Sequence, residues 1–324
     1  MTHQKINIAI VGGGVGGLAL ALHLHERGVV CHVFEAVAEV RELGVGITLL
    51  PHAMRELAAL GIQPELEAAG IENYESAFFN RHGQFIYSEL RGRHAGYALP
   101  EVGIHRGKLH KILFDTAVKR LGADHVHTGY RFKSIAQNED TATLTLMEGV
   151  TQNDWNQAGK VEDVLKLFAD WKFDWLDVTQ LIANAESLLE YPMVDKDPID
   201  QWTFGRVTFL GDAAHPMYPR GSNGSAQALI DARTLADELA KFTDDQDPLP
   251  ALLRYENVRR PLANKVVQTN RTTPPDFINI KVDELTQGKP FRHIDDVISQ
   301  EELRKISDDY KKIAGFSLEA LKSS

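Results

Sequence analysis

Six residues near the start of the chain, Gly12-Gly-Gly-Val-Gly-Gly17, sit between apolar runs of different period. Before them, Ile6 to Val11 is a continuous apolar stretch of strand length, the pattern of a strand buried on both faces of a parallel sheet. After them, Leu18 to Arg27 carries Leu18, Leu20, Ala21, Leu22 and Leu24 with helical character, and Gly28 is placed to close the helix. Val29 to Phe34 reads as a second buried strand. Strand, glycine turn, helix and strand make a βαβ unit with a right-handed crossover, which commits the chain to an α/β fold.

Gly12, Gly14 and Gly17 satisfy G-x-G-x-x-G. The first glycine permits the tight turn, the second lets the backbone approach a pyrophosphate, and the third lets helix and strand pack closely. The helix N-terminus adds free N–H groups and a partial positive charge. Glu35 ends the second strand, where a carboxylate can accept hydrogen bonds from adenosine ribose hydroxyls. A Gly-rich turn without a ligand would leave Glu35 unexplained.

Residues 211 to 224 form a second ligand-gripping stretch, Gly-Asp-Ala-Ala-His-Pro-Met-Tyr-Pro-Arg-Gly-Ser-Asn-Gly. They follow the apolar run Arg206 to Leu210 and lead into a helical stretch, Ser225 to Phe242. Two grips so far apart suggest a long cofactor held at both ends, and flavin adenine dinucleotide (FAD) is the obvious candidate.

Elsewhere, Gly44 to Pro51 reads as strand and turn, His52 to Leu60 as a helix stopping at Gly61, and Tyr74 to Leu90 as antiparallel strands. Arg106 to Leu121 is amphipathic with a Gly122 stop. Val126 to Ile135 and Thr141 to Met147 look like a strand pair of a smaller sheet. Val161 to Phe168 and Val178 to Leu189 read as helices. Leu249 to Arg271 is a long helix in which Pro261 should kink or break the ladder. Pro274-Pro275 breaks the chain, and the tail from Ile294 to Leu321 is polar and helical.

The net charge of −10 disfavours nucleic acid, whose binding needs clustered Lys and Arg. Cys31 is the single cysteine, so no internal disulfide forms; it reads as a core filler in a reducing compartment. No apolar stretch approaches the roughly 20 residues that span a bilayer. Met1 to Lys5 runs directly into a strand, so no signal peptide is expected. A cytoplasmic protein, monomer or homodimer, is expected. His125 and His127 lie two apart on a strand with no third ligand nearby, so no metal site is expected. Trp155, Trp171, Phe173 and Trp175 read as core aromatics of helices, with stacking on an aromatic substrate as the alternative.

Taken with the glycines, five further stretches carry a resemblance: Arg41 to Ile47, His105 to Leu109, Tyr191 to Asp195, Gly211 to Gly224, and Tyr255 to Pro261. The chain resembles the group A FAD-dependent aromatic monooxygenases with the para-hydroxybenzoate hydroxylase fold, in their phenazine and salicylate hydroxylase-like branch. The similarity runs from Ile6 to about Met147, and from about Asp154 through the tail. It implies an FAD-binding Rossmann-like domain with a reduced mixed-sheet substrate domain and C-terminal helices. The FAD-binding domain would comprise residues 1–75, 105–148 and 200–285. The shortened substrate domain would comprise 76–104 and 149–199, followed by a helical tail, 286–324.

The resemblance also implies roles. FAD would be held non-covalently, with Gly12, Gly14, Gly17 and Glu35 at its adenosine and pyrophosphate end. Arg41 and Arg106 would bind the cofactor, Arg106 near the ribityl-phosphate portion. Asp212 would hydrogen-bond the ribityl chain. Backbone N–H groups around Gly221, Ser222, Asn223 and Gly224 would face the N1–C2=O edge of the ring, where reduced flavin is anionic. Met217, Tyr218 and Pro219 would lie beside the ring and shape the substrate pocket, with no side chain doing acid–base work. His215 would support the loop. Arg220 stands where relatives often have an apolar residue, and either attracts an anionic substrate or points to solvent. NADH or NADPH would reduce the flavin, and O2 would add at C4a to give a hydroperoxide that hydroxylates an aromatic substrate.

One family fingerprint, Gly-x-Asp-Gly on a strand between the two grips, is missing: the sequence has no Asp-Gly dipeptide. After Met147-Glu-Gly-Val150 the text resumes at Gln152-Asn-Asp-Trp-Asn156 with residues that resemble a later part of the family, so several tens of residues are absent by that resemblance. Two alternatives follow: a flavin-binding protein or NAD(P)H oxidase that has lost coupled hydroxylation, and an NAD(P)-dependent dehydrogenase using only the N-terminal cradle.

Overall fold

A computed structural model describes residues 8–39, 45–149, 157–190, 193, 195–242 and 247–322. In chain order the elements are β1 (Ile8–Val11), α1 (Val15–Glu26), β2 (Cys31–Glu35), β3 (Gly46–Leu49), α2 (Pro51–Ala59), α3 (Gln63–Ala69), β4 (Ile71–Glu72), β5 (Glu75–Phe79), β6 (Phe85–Leu90), β7 (Val102–His105), α4 (Arg106–Leu121), β8 (Val126–Thr128), β9 (Tyr130–Gln137) and β10 (Ala142–Glu148). They continue with β11 (Gln157–Ala158), α5 (Val161–Phe168), α6 (Val178–Ala183), β12 (Leu189–Glu190), β13 (Thr203–Phe204), β14 (Val207–Thr208), α7 (Gly224–Ala240), α8 (Leu249–Thr272), α9 (Phe277–Thr286), α10 (Gln300–Ala314) and α11 (Leu318–Lys322).

The glycine-rich start folds as its sequence dictates. β1 and β2 pair in parallel, Ile8 opposite Cys31 and Val11 opposite Phe34. Between them α1 buries every residue from Leu18 to Leu24. A helix apolar on all sides needs neighbours on all sides; α4 and α7 supply them. The close approach depends on glycine. A Cβ on Gly17 would lie 2.0 Å from the Gly12 carbonyl oxygen, and one on Gly16 would lie 3.3 Å from the Ala228 Cβ of α7. Gly12 and Gly28 adopt positive φ, +105° and +70°, at the two ends of the helical segment.

The third parallel strand is a correction. Residues 126–135 are not one strand of a small sheet. Gly129, at φ +81°, turns the chain. β8 on its near side joins β2 in parallel, Val33 opposite Val126. β9 beyond the turn pairs antiparallel with β10. The parallel sheet therefore runs β1-β2-β8 and ends at β1. Among the described residues no strand covers the outer edge of β1, and Val11 is 49% exposed there. β3, β7 and β4 make a second, antiparallel sheet, while β5–β6, β9–β10, β11–β12 and β13–β14 are isolated pairs.

Three further expectations need correcting. α6 ends at Ala183, and Leu189 belongs to a short strand instead. α8 runs unbroken through Pro261. Proline removes one ladder hydrogen bond, and the packing of Tyr255, Arg259, Ala263, Val266 and Val267 on either side holds the helix together. Trp171, Phe173 and Trp175 lie between α5 and α6, not on helices. They form a ring cluster with Phe79, Trp175 standing 5.0 Å from it and 59% exposed. Trp155 lies outside the described residues.

The two largest of four hydrophobic cores organise the described residues. The larger joins α1, α2, α4, α7 and α8 to the parallel sheet around Leu22, Met54, Leu113, Leu229 and Tyr255. The smaller places Ile86 and Tyr87 of β6 against Ile278 and Val282 of α9 and Leu303 of α10. At roughly 1.5–3 kcal/mol for each large apolar side chain buried, the second core ties the tail firmly to the body. Cys31 is buried, and burial pushes its thiol up to about 12, fitting a core filler.

Candidate cofactor site

Both grips open on one cleft of about 2890 Å³. Gly12, Gly14 and Gly17 line one end; Arg106, Asp212, Met217, Pro219 and the Ser222–Gly224 turn line another, and apolar side chains of β9 and β10 form a wall. Nothing lies within 4 Å of where a Cβ of Gly12 or Gly14 would stand. Gly14 caps α1 without any side-chain acceptor, so the first-turn N–H groups face open space, as an incoming anion requires.

Glu35 sits behind this turn and does not line the cleft. One carboxylate oxygen accepts from the Gly13 N–H at 2.6 Å and the other from the Val37 N–H at 2.8 Å. Each oxygen keeps a lone pair for a further donor. Across the turn, His110 bonds the Gly13 carbonyl at 2.5 Å. Arg106 opens α4, its backbone N–H bonded to Val45 at 2.9 Å. Its exposed guanidinium has no ion pair or hydrogen bond among the described residues. Arg41 lies outside them.

The second grip rests on a buried charged network that sequence reading missed. Gly211 takes φ +58°, and its N–H donates to Asp231 Oδ2 at 3.0 Å. His215 Nε2 donates to the same oxygen at 2.6 Å, and Arg259 Nε donates to Asp231 Oδ1 at 2.7 Å. Arg259 also reaches Gln227 at 2.7 Å. Burial alone would push the Asp231 carboxyl up. The Arg259 guanidinium and His215 outweigh it and hold the group below the usual carboxylate range. His215 is thus a loop support, as expected. The network presents Asp212, exposed, to the cleft.

The ring-facing turn is equally anchored. Gly221 and Ser222 are both left-handed, at φ +87° and +54°. For serine this costs about 1–2 kcal/mol and needs an external hold. Asn223, 1% exposed, supplies it: its Oδ1 accepts from His52 Nε2 at 2.9 Å and its Nδ2 donates to the Gly221 carbonyl at 2.8 Å. Phe316 stacks on His52 at 4.8 Å, and burial drives His52 down to about 3, so the ring stays neutral. Met217 and Pro219 line the cleft; Tyr218 does not, and its carbonyl accepts from Asn270 at 3.3 Å. Arg220 neither reaches the cleft nor floats in solvent: it makes a bidentate pair with Asp276, the closest contact 2.7 Å. His125 and His127 flank His32, with ring centroids 4.5 and 5.5 Å away.

These residues fit a flavin dinucleotide. The cradle is open where a pyrophosphate approaches, Arg106 and Asp212 both face the cleft, and a turn held left-handed offers backbone donors at its far side. A family model described as FAD binding domain matches residues 5–156 and 191–270. The phenazine 1,6-dicarboxylic acid hydroxylase PhzS of Lysobacter antibioticus is 34% identical over 370 residues, covering 83% of this chain and 90% of that protein. That alignment uses about 269 of the 324 residues here, so about 100 of its positions have no residue in this chain. The 3-hydroxybenzoate 6-hydroxylase 1 of Aquipseudomonas alcaligenes is 26% identical, covering 84% of this chain and 89% of its own. Among solved structures, Klebsiella pneumoniae HpxO complexed with FAD and uric acid superposes with a TM-score of 0.74 at 19% identity, covering 99% and 98% of the two chains. A salicylate hydroxylase substrate complex gives 0.72 at 17%, again covering 99% and 98%. With its cradle, its second grip and these relatives in agreement, the chain belongs to the FAD-binding aromatic monooxygenases of group A.

Proposed function

We propose that the chain hydroxylates a carboxylated or phenolic aromatic ring, using NADH or NADPH and dioxygen. The observation that carries this is the opening of both grips on a single cleft. Bound FAD would supply the redox chemistry, taking electrons from the nicotinamide and activating dioxygen. The chain's own residues hold and orient. Gly12 and Gly14 admit the pyrophosphate, Gly17 lets the helix pack behind it, Glu35 offers the ribose the lone pairs that Gly13 and Val37 leave free, and Arg106 offsets phosphate charge against the net charge of −10. Asp212 takes the ribityl hydroxyls. The Gly221–Gly224 turn aims backbone donors at the ring edge that gains charge on reduction. Met217 and Pro219 set the pocket beside the ring. Arg220 is spent on Asp276, so it is not an anchor for an anionic substrate.

The test is NAD(P)H oxidation by FAD-saturated protein over a panel of hydroxybenzoates and phenazine carboxylates, with product mass read alongside. Substrate-stimulated turnover and a product heavier by one oxygen support the reading; neither, over the whole panel, sinks it.

A second reading has its own observation. The cleft is about three times the largest usual ligand pocket, roughly 1,000 Å³, and β1, whose outer edge carries no strand among the described residues, lines it. A reaction chamber that admits water would release hydrogen peroxide instead of product. Stoichiometric peroxide from NAD(P)H, with no hydroxylated product, would favour this oxidase over the hydroxylase.

A further inference from the structure

The tail beyond residue 286 contributes nothing to the lining of the cleft, yet one of its side chains reaches the turn that does line it. Tyr310 of α10 is 2% exposed. Its hydroxyl accepts from Asn223 Nδ2 at 2.8 Å and donates to Asn270 Oδ1 at 2.7 Å. Asn270 Nδ2 in turn donates to the Tyr218 carbonyl. One hydroxyl thus joins the two asparagines that hold the ends of the 218–223 loop. The chain of donors has a single direction: Asn223 gives both amide hydrogens away, to Gly221 and Tyr310, so its oxygen faces His52. A Cβ on Gly221 would lie 2.1 Å from the Tyr310 oxygen, so the two surfaces are in close contact. Burial pushes the Tyr310 hydroxyl well up, and it stays a donor at any working pH.

A tail that only packed would need no hydroxyl here, since phenylalanine fills the same space. We propose that Tyr310 is a positioning residue for the flavin. Through Asn223 and Asn270 it fixes the left-handed Gly221–Ser222 pair, and so aims the N–H groups that meet the ring's N1–C2=O edge. The proposal rests on the reading of this turn as ring-facing. Its effect falls on reduced flavin more than on oxidised flavin, because only the reduced ring carries the charge those donors stabilise.

The experiment compares wild type, Tyr310→Phe and Ser307→Ala, each saturated with FAD, by midpoint potential and thermal melt. Ser307→Ala removes a different anchor of the same helix, the hydroxyl that donates to Glu89 at 2.8 Å, away from the 218–223 loop. Loss of one buried hydrogen bond predicts about fivefold weaker relative binding of reduced flavin in Tyr310→Phe, or about 20 mV more negative for a two-electron couple. Ser307→Ala melts earlier at an unchanged potential. An unchanged potential in Tyr310→Phe, or an equal shift in both variants, overturns the proposal. If Tyr310→Phe does not fold, Asn270→Ala takes its place under the same criterion. If wild type binds no FAD, the ring-facing reading fails by itself, and the clamp is decided by amide exchange at Ser222 to Ser225: faster in Tyr310→Phe than in Ser307→Ala upholds it, equal rates refute it.

Discussion

Replacing Asp231 with Asn tests the network beneath the second grip. The carboxylate accepts three hydrogen bonds, from Gly211, His215 and Arg259, and all four residues are buried. Asparagine nearly preserves shape and removes charge. With its oxygen toward Gly211 and His215, its amide hydrogens oppose the Arg259 Nε–H. Flipped, they oppose the Gly211 N–H. Either way a donor meets a donor, and Arg259, 4% exposed, loses its counter-charge. Breaking a buried pair from one side costs about 3–5 kcal/mol. At about 2 °C per kcal/mol for a chain of this size, the melting temperature falls by about 6–10 °C. FAD affinity falls too, because Asp212 sits in the turn that Asp231 pins. A fluorescence melt and an FAD titration measure both. The double variant Asp231→Asn/Arg259→Met discriminates the cause: removing the stranded cation recovers at least about 1 kcal/mol of the loss. A single variant melting within 2 °C of wild type, or a double no better than the single, would refute a dominant role for the buried charge pair.

The remaining predictions use other parts of the site. Arg106→Met weakens FAD binding about ten- to a hundredfold, the value of one charge-assisted hydrogen bond; its melting temperature without FAD stays at the wild-type value, since the exposed guanidinium has no described partner. Gly17→Ala drives a methyl into the Gly12 carbonyl and lowers stability by about 1–3 kcal/mol. Gly14→Ala meets nothing, folds normally and loses FAD; equal urea midpoints for the two variants would contradict the packing argument. His52 titrates near 3 in the folded chain and near 6.5 unfolded. A depressed folded value gives stability that is complete above pH 6.5 and is lost as pH falls toward 3, at about 1.4 kcal/mol per unit. His52→Gln, which keeps a donor for Asn223 without titrating, is less sensitive to the step from pH 7.5 to 5.0 by about 2 kcal/mol in urea unfolding.

The first βαβ unit was legible because its signals are local. Apolar runs of strand and helix length, and glycines at fixed offsets, act within thirty residues. The same locality explains why Arg106 and Asp212, which line one cleft, could be singled out through motifs of a few residues each. It also explains the misses. Asp231 and Arg259 lie on different helices, and nothing in either helix announces the other. Arg259 stood in plain view in the Tyr255 to Pro261 stretch, but its partner did not. Tyr310 was hidden in a tail that reads as polar because α10 shows solvent most of its faces and buries only Leu303, Ser307, Tyr310 and Ala314. β8 was misassigned because a three-residue strand carries too little pattern to reveal which sheet it joins, and Gly129 was not read as a turn. Pro261 misled for the opposite reason: a strong local signal was overridden by packing along both flanks of α8.

The strand that leads into the glycine cradle is also the one whose outer edge, among the described residues, carries no further strand. An exposed run of unpaired backbone groups templates pairing with other chains, and here that run ends at Gly12, under the place where a cofactor phosphate would lie. Colloidal behaviour and cofactor loading are therefore linked through four residues, Ile8 to Val11. Static light scattering over a protein dilution series, with and without saturating FAD, should show association that FAD suppresses and that Val11→Lys abolishes; scattering indifferent to both would separate the open edge from the cofactor site.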